Sequence, residues 1–211
     1  MKKIITSILA LAMIFAALTT LLTACSSKYD VYVIEMDIKA EDKDFGTIRV
    51  KLDRTSAPAT VDNFISLIES GYYVGKTLHR AQQGFVIQGG SANGDGISDG
   101  SAATIPGEFS ANGFEGNNIS HREGVISMAR TEDPNSASAQ FFITLGDARA
   151  SLDGEYAGFG FVDKESMKIV HEVAEYMYPY TSGSKGMIPL SSKDKMPIIS
   201  GARVVDQYNI D

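Results

Sequence analysis

An arginine, a phenylalanine and a glutamine lie close together in the string HRAQQGFVIQGG, which runs from His79 to Gly90. The second half of the string alternates in the manner of a β-strand with two different faces. Arg80 and Gln88 are too far apart to meet within one helical turn, but they can meet across a curved sheet. A cation, an amide and an aromatic ring brought together in this way describe a pocket that holds an apolar group beside a carbonyl.

Other catalytic constellations are scarce. The sequence has no GxSxG nucleophile elbow, no P-loop and no HExxH motif. Its histidines, His79, His121 and His171, are scattered and have no second ligand at metal-binding spacing. We therefore expect no metal and no cofactor. We expect His171 on a helix, at its surface or in its packing, and His121 before a strand, in a turn or as a hydrogen-bonded polar residue. A catalytic pair of carboxylates is not excluded by the sequence, because any two of the many acidic residues can meet in a fold.

The first 24 residues are typical of an export signal. Lys2 and Lys3 precede a long apolar run, and the sequence LTAC ends in Cys25, the only cysteine of the chain. A retained transmembrane helix is the alternative, but a small residue precedes the cysteine and the polar SSKYD follows it at once. The stretch resembles a bacterial lipobox, which implies cleavage before Cys25 and attachment of diacylglycerol to its sulfur, so thiol catalysis is excluded.

Three segments follow from this interpretation. They are a lipoprotein signal peptide over residues 1–24, a lipidated tether over residues 25–29 and a single domain over residues 30–211. The net charge of the whole chain is −7, and loss of Lys2 and Lys3 makes it about −9. An acidic domain lacks the basic surface that binds nucleic acid. We expect a monomer outside the cytoplasm, held at the cell membrane only by the lipid on Cys25.

Short strands dominate the rest of the chain. Residues 34–38 and 48–52 alternate and predict a hairpin with one buried face, and their acidic and basic residues suit cross-strand pairing. Further strands are expected at residues 86–88, 124–129, 140–144, 159–162 and 198–205.

Two amphipathic helices interrupt the strands. The first is predicted over residues 58–70, with Thr60 as its N-cap and Gly71 as its stop signal, and the second over residues 166–177. Many short strands and two helices without strict alternation favour an all-β barrel or sandwich with helical caps.

Two polar segments have no clear periodicity. Residues 91–107 contain NGDGISDG, which fails the GxGxxG spacing of a dinucleotide loop and lacks the ligand spacing of a calcium loop. We interpret this segment as a mobile, glycine-rich connector. Residues 178–197 are broken by prolines and glycines and form an excursion of unassigned role.

Four strings, read together and in order, carry a family resemblance: HRAQQGFVIQGG, GVISMAR, NSASAQFFIT and SLDGEYAGFG. They resemble the cyclophilin family of peptidyl-prolyl cis-trans isomerases, over nearly all of residues 30–206. The resemblance implies a closed eight-stranded antiparallel β-barrel capped by two α-helices. It also implies isomerisation of X–Pro bonds in proline-containing polypeptides, which here assists the folding of exported proteins.

The same resemblance assigns the site. Arg80 matches the catalytic arginine of the family, and Gln88 matches the glutamine that orients it. The residues that match the family's substrate-binding positions are Phe85, Val86, Ala129, Arg130, Gln140, Phe142, Leu152 and Tyr156.

Three positions depart from the usual pattern. Val86 stands where many members have methionine, and Tyr156 where many animal members have histidine. Ser151 stands where the cyclosporin-sensitive members have tryptophan, which argues against tight cyclosporin binding but not against the isomerase reaction.

The residues also fit the chemistry of amide rotation, which needs no nucleophile. A guanidinium at the proline nitrogen or at the preceding carbonyl favours the twisted transition state over either planar form. A non-catalytic chaperone or scaffold that binds proline peptides at the cell surface is the alternative. The presence of Arg80 favours catalysis, since binding alone does not require it.

Overall fold

The computed structural model describes residues 29–98 and 100–210. These residues form eight strands: β1 (Val31–Lys39), β2 (Asp44–Asp53), β3 (Thr77–Gln82), β4 (Val86–Ser91), β5 (Val125–Met128), β6 (Phe141–Thr144), β7 (Gly158–Val162) and β8 (Ile198–Tyr208). They close into an antiparallel barrel in the order β1-β2-β7-β5-β6-β4-β3-β8. The predicted barrel is therefore confirmed, and the sandwich is excluded.

The helices are few. They are α1 (Pro58–Glu69), the single turn α2 (Arg149–Leu152) and α3 (Lys164–Met177), with short 3-10 helices at Ser110–Asn112, Tyr178–Tyr180 and Leu190–Lys195. Both longer helices place an apolar stripe against the same core as the barrel interior. No helix in the described part of the chain combines the length and the apolar character that crossing a bilayer requires.

The first hairpin forms as its alternation predicts. Ile34 lies opposite Val50 in the β1–β2 ladder, and both side chains are fully buried. On the outer face Glu35 lies opposite Arg49, and their charged groups are 3.3 Å apart. Arg203 of β8 binds the same glutamate at 2.6 Å, so the opposite charges lie on three neighbouring strands.

Helix α1 is buried through the predicted stripe, but its cap is not the predicted one. The helix begins at Pro58, with Ala57 as N-cap, so Thr60 lies inside the first turn and the Thr60 N-cap is wrong. Glu108, far along the chain, takes the capping role. Its carboxylate oxygens accept from the backbone N–H groups of Ala59 at 2.9 Å and Thr60 at 2.8 Å.

Helix α3 starts two residues before the predicted range. Asp163 is its N-cap, and the carboxylate accepts from the backbone N–H of Ser166 at 2.7 Å. Asp and Ser are favoured at such positions because they satisfy backbone donors that have no partner within the helix. The predicted signal peptide and Cys25 lie outside the described residues.

Candidate active site

Arg80 and Gln88 meet because β3 and β4 form a tight hairpin. They lie opposite each other in the ladder, and Arg80 Nη1 donates to Gln88 Oε1 at 3.0 Å. Arg80 Nη2 donates to Gln82 Oε1 at 2.7 Å, and Nε donates to the Lys185 carbonyl at 2.7 Å. Three of the five guanidinium N–H groups are thus engaged, which fixes the plane of the group and leaves two N–H groups for a bound molecule.

Arg80 is positively charged at neutral pH although its side chain is partly buried. Burial lowers the pKa of Arg80 from its ordinary value, but a guanidinium keeps its proton at neutral pH. The neighbouring His79 is fully buried, and desolvation lowers its pKa to about 4. The imidazole is therefore neutral at physiological pH, and Arg80 is the cation of this part of the strand.

Further hydrogen bonds fix the side-chain amide of Gln88. Its Nε2 donates to Gln140 Oε1 at 3.1 Å, and Gln140 Nε2 donates to the Gly96 carbonyl at 3.0 Å. Both amides are oriented by these bonds, so the oxygen of Gln88 is directed at Arg80. The hydrogen bonds of the described residues thus link Gln140 to the arginine through Gln88.

An apolar floor lies beside the guanidinium. Val86 of β4, Phe142 of β6 and Leu152 of α2 form a buried cluster separate from the barrel core, together with Ala148. Partly buried Phe85, Ala129 and Tyr156 pack around its rim. Phe142 and Tyr156 meet edge to face at 5.7 Å, and the Phe85 ring lies 5.8 Å from the Arg80 guanidinium carbon.

Arg130 is held at the rim beside Tyr156. Its guanidinium stacks over Tyr156 at 4.7 Å and over Phe109 at 5.1 Å, and its Nε donates to the Glu155 carbonyl at 3.0 Å. The backbone N–H of the preceding Ala129 already donates to the Gln140 carbonyl at 2.9 Å. The guanidinium of Arg130 holds the rim together through its contacts with the two aromatic rings and the Glu155 carbonyl.

These groups enclose one cavity of about 510 Å³. All of the predicted site residues except Gln140 line it, so the structure brings together what the four strings predict. Ser151 is exposed and does not line it. Four lining residues were not predicted, namely Asp95, Gly96, Lys185 and Met187. They come from the two polar segments, in which no periodicity or motif pointed to a site.

Asp153, His121 and Ser127 form a hydrogen-bonded series next to the apolar floor. His121 Nδ1 is 2.9 Å from Asp153 Oδ1, and His121 Nε2 is 3.0 Å from Ser127 Oγ. His121 and Ser127 are fully buried, and the imidazole stacks on Phe142 at 6.2 Å. The serine cannot reach a substrate, so this arrangement supports the floor and is not a hydrolytic triad.

No group of three His, Cys, Asp or Glu side chains is suited to hold a metal ion within residues 29–98 and 100–210. The described site is therefore a charged and an amide group above an apolar floor. Such a site can bind a neutral apolar ring and polarise the amide next to it.

Comparison with known proteins assigns the chain to a family. The model of the cyclophilin type peptidyl-prolyl cis-trans isomerase family matches residues 35–191. Peptidyl-prolyl cis-trans isomerase A of Dickeya dadantii is 32% identical over 161 residues, which are 76% of this chain and 80% of that protein. A peptidyl-prolyl cis-trans isomerase of Synechococcus elongatus is 38% identical over 129 residues, 61% of this chain and 82% of its own.

Solved structures agree on the fold. A crystal structure of a cyclophilin type peptidyl-prolyl cis-trans isomerase of Cryptosporidium parvum superposes with a TM-score of 0.67 at 23% identity, covering 84% of this chain and 99% of that one. A second structure of that protein, in the presence of the dipeptide Ala-Pro, gives a TM-score of 0.65. The chain belongs to the cyclophilin family of peptidyl-prolyl cis-trans isomerases.

Proposed function

We propose that this isomerase rotates X–Pro bonds in the cavity between Arg80 and Phe142, and that it acts on exported proteins from a lipid anchor. The activity itself follows from the family: the chain is a peptidyl-prolyl cis-trans isomerase, as are the relatives that match it. The assignment of residues and the location are our proposal.

The fixed guanidinium of Arg80 at the rim of an apolar floor is the observation that carries the assignment. A peptide bond resists rotation because the nitrogen shares its lone pair with the carbonyl, with a barrier of about 18–20 kcal/mol. At the twisted transition state the nitrogen regains that lone pair. A cationic donor already held in place stabilises that state more than either planar form and costs no reorganisation during the reaction.

The floor suits the other half of the substrate. Val86, Phe142 and Leu152 offer an apolar surface on which a proline ring can be held while the flanking carbonyl turns. The related Cryptosporidium parvum protein has been crystallised in the presence of Ala-Pro, which supports proline-containing ligands for this cavity. Tyr156 adds an aromatic wall whose hydroxyl can donate to a bound peptide.

Replacement of Arg80 tests the assignment. We expect Arg80→Ala to lose most of the rate at which a proline peptide is isomerised, and to stay folded, because Arg80 lies at the rim and not in the core. Arg149→Ala is the matched control, since that exposed guanidinium pairs with Asp147 outside the cavity. A wild-type rate in Arg80→Ala would refute the assignment.

The alternative is a chaperone or scaffold that binds proline peptides without turning them over. The same assay separates the two. Peptide binding by the wild-type chain without any acceleration of exchange would favour the alternative.

The proposed anchor rests on sequence alone. Lys2 and Lys3, the apolar run and the LTAC string before the polar SSKYD support cleavage and lipidation at Cys25. Two acyl chains hold a protein stably at a bilayer, whereas one gives marginal binding. The mass of the mature protein from cells that produce it should show loss of residues 1–24 and a diacylglyceryl group on Cys25. A mature protein that keeps residues 1–24, or that carries no lipid on Cys25, would contradict the lipoprotein assignment.

A further inference from the structure

Residues 185–188, which we call the strap, lie along β3 as a short additional strand. The backbone N–H of Ala81 donates to the Gly186 carbonyl at 2.8 Å. The backbone N–H of Ile188 donates to the His79 carbonyl at 2.9 Å. These two bonds hold the strap in a defined register against the strand that carries the proposed catalytic arginine.

The strap pairs with the part of β3 that lies beyond its short ladder with β8. The pairing of β3 with β8 is short in the described chain, with Thr77 opposite Ile198. Further along β3, Met187 of the strap takes the place opposite Arg80. The strap therefore continues the ladder where β8 has left it, directly beside the cavity.

The strap also provides an acceptor for the guanidinium. The Lys185 carbonyl accepts from Arg80 Nε at 2.7 Å, whereas the other two acceptors, on Gln82 and Gln88, are side-chain amides. A carbonyl held in a backbone ladder has far less freedom than a glutamine side chain. Its bond to Nε limits rotation of the guanidinium about the last bond of the arginine side chain.

Close approach of the strap requires a glycine. Gly186 has φ +67°, and a Cβ on it would lie 2.2 Å from the Ala81 carbonyl oxygen. Gly183, in the turn before the strap, has nearly the same backbone conformation at φ +68°, but a Cβ there would meet nothing within 4 Å. An alanine would thus strain both positions alike, and would displace the strap from β3 only at Gly186.

We propose that the strap is a positioning element of the isomerase site, which holds the Arg80 guanidinium at the angle needed for the twisted amide. The proposal rests on the catalytic role proposed for Arg80. Lys185 acts through its backbone carbonyl and is a positioning residue. A misplacement of about 1 Å in a catalytic group can cost on the order of a hundredfold in rate.

Two glycine substitutions in the full chain test the proposal. We expect Gly186→Ala to lower kcat/KM for a proline peptide by about tenfold to a hundredfold, with little change in the affinity for the peptide. Gly183→Ala should keep the wild-type rate. The Arg80 Nε–H resonance, followed by NMR, reports the bond itself. It should shift and exchange faster with water in Gly186→Ala, and stay as in the wild type in Gly183→Ala.

Three results would overturn the proposal. The first is a wild-type rate in Gly186→Ala although the Arg80 resonance has shifted. The second is an equal loss in both variants, which would trace the effect to backbone strain. The third is an unchanged Arg80 resonance together with a lost rate. Arg80→Ala in the same assay tests the catalytic role separately, because a wild-type rate there would refute that role whatever the strap does.

A second route to the same displacement covers the case in which Gly186→Ala fails to fold. The backbone N–H of Ser182 donates to the Met187 carbonyl at 2.8 Å and closes the turn that presents the strap. Ser182→Pro removes this donor and also the hydroxyl that donates to the same carbonyl at 3.5 Å. It should reproduce the altered Arg80 resonance and the loss of rate at unchanged peptide affinity. A folded Ser182→Pro variant with the altered resonance and the full rate would contradict the proposal.

Discussion

Gln88 lies opposite Arg80 across the β3–β4 ladder, and its side-chain oxygen accepts a hydrogen bond from Arg80 Nη1 at 3.0 Å. The amide nitrogen of Gln88 donates in turn to Gln140, which donates to the Gly96 carbonyl. This series of bonds determines that Gln88 presents an acceptor, not a donor, to the arginine. The orientation of the guanidinium thus depends on Gln88 of β4, on Gln140 just before β6 and on the loop that contains Gly96.

Loss of the Gln88 amide should slow isomerisation while peptide binding is retained. A hydrogen bond to a charged group contributes about 1.5–3 kcal/mol, so we expect Gln88→Ala to lower kcat by roughly tenfold or more. Affinity for a proline peptide should change little, since the floor is intact. Gln83→Ala, in the exposed turn of the same hairpin, is the control and should keep the wild-type rate. Equal rates in the two variants would argue against an orienting role for Gln88.

The N-terminus of α1 offers a test of how the barrel is held together. Glu108 is buried and accepts from two backbone N–H groups of that helix, whereas Thr60 Oγ1 is buried without a hydrogen-bond partner among the described residues. Glu108→Ala should lower the free energy of unfolding by about 2–3 kcal/mol. Thr60→Val should cost nothing, since it replaces an unpaired hydroxyl with a methyl group.

Denaturant unfolding of both variants measures these differences. A large loss in Thr60→Val, with none in Glu108→Ala, would mean that Thr60 is the cap after all.

Stability should fall with acidification because of His79. Its pKa is about 6.5 in an unfolded chain, and burial lowers it to about 4 in the fold. Between these values the unfolded chain takes up a proton that the folded protein does not. Stability is therefore complete above pH 6.5 and declines as the pH falls towards 4, by about 3 kcal/mol at most from this residue. Burial lowers the pKa of His121 too, which adds a decline of the same sign.

Unfolding free energies at pH 7 and pH 5 check the sign and the source. His79→Leu should reduce the difference between the two values, because an uncharged side chain has no proton to take up. Thr60→Val, which removes no titratable group, should keep the wild-type difference. If His79→Leu shows the full wild-type decline, burial of that imidazole is not its cause.

Local patterns predicted much of the fold. Alternation located the first hairpin, and the 3.6-residue period located both helices, because these signals come from residues that are near one another in sequence. The meeting of Arg80 with Gln88 was also predictable, since a tight hairpin brings residues eight apart face to face. The closed barrel and the shared cavity came from the family resemblance carried by the four strings.

The errors and omissions have a common physical origin in long-range contacts. Thr60 has the chemistry of an N-cap, but Glu108, 48 residues away, binds the backbone N–H groups at that end of the helix. The Lys185 carbonyl binds Arg80 from 105 residues away, and a backbone acceptor leaves no trace in residue type. Gly96 likewise enters the site through its carbonyl. Segments without periodicity contain such contacts, and they can be located only once the fold is known.

A positioned guanidinium at Arg80 is the proposed catalyst of X–Pro bond rotation. Lysine retains the charge at this position but not the planar fork that binds Gln82, Gln88 and Lys185 together. Arg80→Lys should therefore keep part of the rate, and Arg80→Ala should keep least.

The most direct measurement is NMR exchange spectroscopy on a proline peptide at saturating wild-type, Arg80→Lys and Arg80→Ala protein, which separates the cis–trans exchange rate of the bound peptide from its affinity. We predict that the rate on the protein falls in the order wild type, Arg80→Lys, Arg80→Ala, while the affinity stays within a few-fold of the wild type. An equal exchange rate in all three proteins, at equal saturation, would contradict it.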